Sequence, residues 1–169
     1  MFEQTIVPHL DAAYNLARWL AGNEHDAEDI VQESCLRAVK FFGSFRGGNP
    51  RAWLLTIVRN TWYARFAKPG RADQHVVLDE MTDERPDEQL DPEALVIQRQ
   101  AVEQVQRAIG ELPADFREVI VLRELEGLSY KEIAAVIGAP IGTVMSRLAR
   151  ARERLLAVLD TERTTEWCS

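Results

Sequence analysis

The chain has 169 residues, of which 46% are hydrophobic and 28% charged, and its formal net charge at neutral pH is −7. This balance is typical of a folded, soluble protein with one ordinary domain or two small ones. Two cysteines exclude a disulfide framework, the first residues lack the pattern of a signal peptide, and no apolar run is long enough to span a membrane. We therefore expect a cytoplasmic protein without membrane insertion.

The charges are segregated along the chain. Residues 34–72 contain eight basic and no acidic residues, whereas residues 1–33 and 73–95 are strongly acidic. A confined basic block in an acidic chain predicts one surface that faces a polyanion and other surfaces for other partners.

The spacing of apolar residues is helical throughout and does not alternate as in strands. A first apolar stripe covers residues 6–20, and Asp26 is expected to cap a second helix. A loop at residues 43–48 leads to a third helix, for which Asn49 is the expected cap and Pro50 the first residue.

Residues 71–93 differ in composition, with nine acids and two prolines. Such a segment cannot bury enough apolar surface to offset the entropy of ordering, so a flexible acidic linker is predicted. Further helices are expected at about 94–110, 114–126, 129–137 and 141–159. The predicted fold is all-α, with two small helical domains at residues 1–70 and 94–160, the linker at 71–93 and a tail at 161–169.

The last two helices carry the pattern of a helix-turn-helix. Ser129 and Glu132 form a predicted capping box, Gly138 turns the chain, and a second helix follows. One face of that helix presents hydroxyls and then arginines, which suits the major groove of DNA. These residues are Thr143, Ser146, Arg147, Arg150 and Arg154. Tyr130 and Lys131, at the start of the preceding helix, are expected beside phosphates.

The helix-turn-helix lies within a longer set of motifs. They are Leu112-Pro113, Arg117, Leu122-Arg123-Glu124, Glu126 to Tyr130, Glu132 to Ala134, Gly142 to Leu148 and Arg150 to Arg152. Together they resemble region 4 of bacterial RNA polymerase sigma factors of the extracytoplasmic-function (ECF) group, in the sigma-70 family. An independent second set resembles sigma region 2, with a polymerase-binding segment at residues 26–33 and a promoter −10 segment around residues 45–60.

The resemblance implies roles for individual residues. It assigns core polymerase binding to Asp26, Asp29, Gln32 and Glu33. It assigns −10 DNA binding to Phe45 and Asn60, at a flipped-out base. The basic block also predicts −10 phosphate contacts for Arg46, Arg51, Arg59 and Arg65, because no acid lies among them. The resemblance assigns −35 DNA binding to the helix-turn-helix residues named above. The implied function is promoter-specific transcription initiation with core RNA polymerase and promoter DNA as partners.

No enzyme, cofactor or metal site is predicted. His9, His25 and His75 are scattered, and no His or Cys lies at metal-ligand spacing from another. The acids at residues 26–33 have no nucleophile or phosphate-binding loop beside them. Cys35 is expected to be a buried small hydrophobe.

Nothing in the sequence gives the two domains a reason to cover each other's binding faces. Contacts between the mobile acidic linker and the basic block would be weak and screened by salt. A partner wedged between the domains could bury both faces at once. We therefore expect an anti-sigma factor, which the resemblance also implies.

The residues alone leave two other classes of protein open. A DNA-binding regulator could use only the helix-turn-helix, with the N-terminal block as a sensor or dimerisation domain and a palindromic operator. A pure interaction protein is the third class, but it would not need the aligned arginines of the last helix.

Overall fold

The computed structural model describes residues 1–66 and 91–168, with side chains up to residue 161. Within these ranges the chain forms eight α-helices and no strand, as expected for an all-α protein. Residues 67–90, which contain most of the predicted linker, lie outside the described residues.

The helices fall into two units. The N-terminal unit contains α1 (Phe2–Ile6), α2 (Leu10–Ala21), α3 (Glu24–Phe41) and α4 (Pro50–Arg65), with 3₁₀ turns at Val7–His9 and Phe42–Ser44. The C-terminal unit contains α5 (Pro92–Gly110), α6 (Ala114–Ile120), α7 (Tyr130–Ile137) and α8 (Ile141–Cys168). A π-helical turn, Val121–Leu125, extends α6.

The caps explain where the helices begin. Asn49 accepts hydrogen bonds from two backbone N–H groups of α4, and the Ser129–Glu132 capping box is complete, both as predicted. The expected cap at Asp26 was wrong by three residues. Gly22 ends α2 in the left-handed conformation, and Asn23 then caps α3 by accepting from the backbone N–H of Asp26 at 2.8 Å.

The N-terminal unit is built around α2, α3 and α4, which pack against one another. Leu20, Ile30 and Leu54 are among the side chains buried between them. Cys35 is half-buried rather than buried, and this burial raises the pKa of its thiol.

In the C-terminal unit, α6, α7 and α8 form the core and α5 lies along α8. Arg117 is buried, with 1% of its surface exposed, and burial lowers its pKa to about 10. Its guanidinium donates to the carbonyl oxygens of Gly110 and Leu112 at 3.4 and 3.1 Å. This side chain therefore closes the corner between α5 and α6, where helix-terminal carbonyls lack partners within the helix.

The two units are in contact. Helix α4 lies against α7, and α2 lies against α6. Side-chain hydrogen bonds cross the boundary, among them those of the pairs Asn15–Glu126, Asn49–Glu132 and Arg59–Glu118. These contacts are not indicated by any local pattern of sequence, because the partners are at least 59 residues apart.

The buried corner at Arg117 gives a test of the fold. We expect Arg117→Ala to lower the free energy of unfolding by about 2 kcal/mol, because it leaves buried carbonyls without donors. Arg107→Ala, on the exposed side of α5, is the matched control and should change stability little. Urea unfolding followed by circular dichroism measures both, and equal losses would contradict this role for Arg117.

Candidate nucleic-acid and polymerase interfaces

The residues predicted to bind polymerase lie along one side of α3. Gln32 is exposed, whereas Asp26, Asp29 and Glu33 are half-buried. Asp26 accepts a hydrogen bond from the side chain of Asn23 at 2.9 Å. The acidic side of α3 is thus accessible to a partner, although some of its carboxylates already have contacts within the chain.

Glu33 connects this acidic side to the predicted −10 surface. Its carboxylate lies 3.1 Å from the guanidinium of Arg37 and 3.3 Å from that of Arg65 on α4. Helices α3 and α4 pack side by side, so the residues predicted to bind polymerase adjoin those predicted to bind −10 DNA.

Three groups with metal-ligating atoms also meet on α3. Atoms of His25, Asp26 and Asp29 lie within 4.8 Å of one another, and His25 Nε2 is 3.7 Å from Asp29 Oδ2. This grouping was not predicted from the sequence, although adjacent turns of a helix bring such residues together. Exposed acidic groups of this kind are common without an ion, and we assign no metal to them.

The loop before α4 is held by stacked aromatic rings. Phe45 stacks on Phe42 with ring centroids 6.0 Å apart, and its centroid lies 5.4 Å from that of Trp53. Asn60 is exposed on α4, about 10 Å further along the helix axis than Trp53. A base held by both Phe45 and Asn60 would therefore extend over two turns of α4.

The four arginines predicted to contact −10 phosphates differ in environment. Arg46 is exposed and Arg51 is half-buried. Arg65 is paired with Glu33, as described above. Arg59 points away from solvent, with only 18% of its side chain exposed, and contacts the C-terminal unit.

Arg59, Tyr63 and Glu118 form what we call the interdomain cluster. Arg59 donates through Nε and Nη2 to the two carboxylate oxygens of Glu118, at 2.8 and 3.2 Å. The Arg59 guanidinium also lies over the Tyr63 ring, 4.4 Å from its centroid, and Tyr63 hydrogen-bonds with Glu118. The cluster thus joins α4 to α6 with a bidentate, charge-assisted contact.

Glu118 is almost completely enclosed, with 1% of its surface exposed. Burial raises its pKa, while the hydrogen bonds and charge of Arg59 and the more distant charge of Arg147 act in the opposite direction. Burial alone would lower the pKa of Arg59, but the hydrogen bond and charge of Glu118 outweigh it and raise that pKa. Each partner therefore stabilises the charged form of the other.

A second polar contact joins the N-termini of two helices. Asn49, the cap of α4, donates to Glu132, which belongs to the capping box of α7. The pKa of Glu132 is lowered first by the backbone N–H of Ser129, then by Asn49, with a smaller effect from the charge of Arg51. The start of the predicted −10 helix therefore lies against the first helix of the helix-turn-helix.

The helix-turn-helix has the predicted geometry. The chain bends by 100° between α7 and α8, within the usual range for this motif, and Gly138 makes the turn with φ of 67°. Val144, Leu148 and Ala151 of α8 are buried as the predicted apolar stripe requires. The opposite face of α8 points away from this core and is accessible to a ligand.

That opposite face contains the residues predicted to bind −35 DNA. Ser146, Arg150 and Arg154 are exposed, and the Arg154 guanidinium lies 4.7 Å from the centroid of the Phe116 ring. Thr143 and Arg147 are half-buried.

On α7, Lys131 is exposed and Tyr130 is half-buried, with the Arg123 guanidinium 4.8 Å from its ring centroid. Arg152 follows the buried Ala151 on α8, but its side chain is 45% exposed and its Nη2 lies 2.8 Å from Glu124 Oε1. A long arginine stem can carry its charged head away from the core.

Family models and curated relatives agree with this architecture. The model "Sigma-70 region 2" matches residues 5–72, and "Sigma-70, region 4" matches residues 102–155. The chain is 39% identical over 137 residues to the ECF RNA polymerase sigma-E factor of Salmonella typhimurium (strain 14028s / SGSC 2262), covering 77% of this chain and 72% of that relative. The chain belongs to the ECF sigma factors.

A further relative and a solved structure are also similar to this sigma factor. It is 36% identical over 154 residues to the ECF RNA polymerase sigma factor SigE of Mycolicibacterium smegmatis, a match that covers 91% of this chain but only 60% of that relative. Its fold is similar to that of the sigma factor RpoE solved with the anti-sigma factor NepR from Bartonella quintana. That likeness has a TM-score of 0.71 and 34% identity, and it covers 94% of this chain and 96% of the other.

Membership of the family makes this chain a non-catalytic initiation factor rather than an enzyme. None of its described helices is by itself long and apolar enough to cross a membrane. One strongly bent pair of helices, α7 with residues 141–161 of α8, has the length and composition of a membrane span, but these two properties alone are weak evidence for one. This pair contains the helix-turn-helix.

Sequence reasoning missed Glu118 and Tyr63 of the interdomain cluster. One signal was available for Glu118. Ala114, Glu118 and Leu122 follow one another at four-residue intervals, so an acid occupies the apolar stripe of a helix. An acid at such a position requires a partner, since a buried charge without one is costly.

Proposed function

We propose that this sigma factor binds core RNA polymerase and directs promoter-specific initiation by reading two promoter elements. In this proposal residues 1–70 bind polymerase and the −10 element, residues 94–160 bind the −35 element, residues 71–93 link them, and residues 161–169 are a tail. The observation that carries it is the helix-turn-helix of α7 and α8, whose exposed face is polar and basic. We also propose that it acts in the cytoplasm.

The −35 role rests on the face of α8. Its N-terminal half presents hydroxyls and arginines, and this is the half that enters the major groove in helix-turn-helix docking. Ser146 and Arg150 are exposed and can reach base edges, whereas Arg154 lies a turn further on, where phosphates pass. Thr143 and Arg147 flank them, and Tyr130 and Lys131 on α7 can contact the backbone.

The −10 role rests on α4 and the loop before it. Proteins hold single-stranded bases by stacking on aromatic rings beside cations, and Phe45 with Asn60 and Arg46 offer these groups. Arg51, Arg59 and Arg65 add charge without any acid in the surrounding block of sequence, although Arg59 and Arg65 are paired with carboxylates in this arrangement.

The polymerase-binding role rests on α3. Asp29, Gln32 and Glu33 lie on adjacent turns of one side, with Asp26 at its start. Leu36 continues that side and is 72% exposed, so the surface combines acids with an apolar side chain. Such a surface suits a basic partner with an apolar centre.

We further propose that an anti-sigma factor restrains this protein. Both partner-binding units carry exposed functional surfaces, and the likeness to RpoE, solved with NepR, supports a partner of that class. Run-off transcription with purified core polymerase, with and without this chain, tests the main proposal. Specific transcripts only when the chain is present would support it, whereas DNA binding to a palindrome without polymerase would favour a simple regulator.

The polymerase surface can be tested by charge removal. We expect Asp29→Ala with Glu33→Ala to weaken core polymerase binding while leaving helicity unchanged, because both carboxylates lie on the exposed side of α3. Glu93→Ala with Glu103→Ala removes the same charge from exposed positions on α5 and is the control. Equal affinity of both double variants for core polymerase in a pull-down would contradict this assignment.

Base reading by α8 predicts two kinds of effect. Arg147→Ala or Arg150→Ala should reduce discrimination at one −35 position by about 1–3 kcal/mol if that arginine forms a bidentate contact to guanine. Arg154→Ala should instead weaken binding to every sequence and make the salt dependence shallower. Competition binding with single-base variants at several salt concentrations separates the two. Uniform losses for all three variants would contradict base reading.

Asn60 gives a similar test at the −10 element. Asn60→Ala should change base preference at one position in promoters selected from a randomised −10 library, because its amide can bind a base edge. Arg46→Ala is the comparison and should lower open-complex formation uniformly through lost phosphate contact. A uniform effect of Asn60→Ala would indicate that Asn60 only braces the helix.

A further inference from the structure

The outward face of α8 carries apolar side chains that its hydroxyls and arginines do not explain. Met145 is 53% exposed and Ile141 is 46% exposed, and Ala149 is exposed as well. These residues follow one another at four-residue intervals, so their side chains are neighbours on successive turns of the helix. We call Ile141, Met145 and Ala149 the apolar strip.

The apolar strip lies beside the polar residues that are proposed to reach base edges. At about 100° per residue, Ser146 lies between Met145 on one side and Arg150 on the other. Both Ser146 and Arg150 are exposed. The first turns of α8 therefore present apolar and polar side chains next to each other on one outward surface.

The position of Met145 distinguishes it from other exposed apolar residues. Single exposed hydrophobic side chains are common on protein surfaces, and Leu156, which is 62% exposed on the same helix, is one of them. Met145 lies in the N-terminal half of α8, which begins at Ile141, and this is the half that enters the major groove in helix-turn-helix docking. Leu156 lies about 16 Å further along the helix axis.

Thymine is the base that fits an apolar side chain at this position. It alone among the bases of DNA presents a methyl group in the major groove, where apolar side chains can contact it. The thioether of methionine donates no hydrogen bond and accepts only weakly. Covering the amino group of cytosine with Met145 would therefore leave that group without a partner, which is costly. The flexible, unbranched side chain of methionine also adapts well to the shape of an apolar contact.

We propose that Met145 determines specificity for the −35 element by packing on the methyl group of a thymine, with Ala149 at the edge of the same contact. This rests on the proposed function, since it requires α8 to read the −35 element. Ser146 and Arg150 supply hydrogen bonds to neighbouring bases, whereas Met145 supplies a contact that contains none.

Replacement of thymine by uracil tests this contact, because it removes the methyl group and leaves the hydrogen-bonding groups of the base unchanged. Holoenzyme assembled from the full chain and core polymerase first selects −35 sequences from a randomised library. Each thymine of the selected element, on both strands, is then replaced by uracil in turn. We expect one replacement to lower the affinity of the wild type roughly fourfold, the effect of one buried methyl group. At that position, 5-methylcytosine should bind more tightly than cytosine by a similar factor.

Variants of the chain locate the effect at Met145. Met145→Ala should bind the thymine and uracil duplexes with nearly equal affinity, whereas Met145→Leu, which keeps a large apolar side chain, should retain part of the difference. Leu156→Ala is the matched control. It removes an exposed apolar side chain from the same helix outside the half that enters the groove, and it should retain the full difference. Circular dichroism checks that every variant folds, as expected for exposed positions.

Equal affinity of the wild type for thymine and uracil at every position would overturn the role of Met145. A difference that persists unchanged in Met145→Ala, or that is lost in Leu156→Ala, would overturn it as well. A wild-type holoenzyme that selects no −35 sequence would instead contradict the proposed function, and this inference with it.

Discussion

A buried ion pair between the two units is the contact on which the arrangement of this protein depends. Glu118 is enclosed on α6 and is matched by a bidentate guanidinium from Arg59 on α4. Removing one partner from such a pair leaves an uncompensated charge, which costs far more than the pair itself contributes. The pair therefore contributes little to the stability of either unit, but it strongly disfavours arrangements of the two units in which one partner stays buried alone.

The same pair involves a residue of the predicted −10 surface. Arg59 belongs to the basic block that the sequence predicts to face a polyanion, and its charge is neutralised here by Glu118 of the same chain. Arg65 is likewise paired with Glu33, on the side of α3 that is predicted to bind polymerase. Two arginines of the predicted −10 surface are thus paired with carboxylates of the same chain.

Local features of the fold could be predicted from the sequence because they depend on neighbouring residues. Asn49 and the Ser129–Glu132 box form the expected caps, and the stripe containing Val144 and Leu148 faces the core. The Asp26 cap failed because the left-handed Gly22 ends α2 one residue before Asn23. The Arg59–Glu118 contact could not be predicted, because helical periodicity says which face is buried but not which distant helix covers it.

The most direct test is the distance between spin labels on exposed positions of α3 and α5, measured in the free chain and in the complex with core polymerase and promoter DNA. We predict one short distance in the free chain and a distance tens of ångströms longer in the complex. A broad distribution of long distances in the free chain would contradict the contact between the two units, and the same short distance in both states would contradict the binding of two promoter elements by separate units.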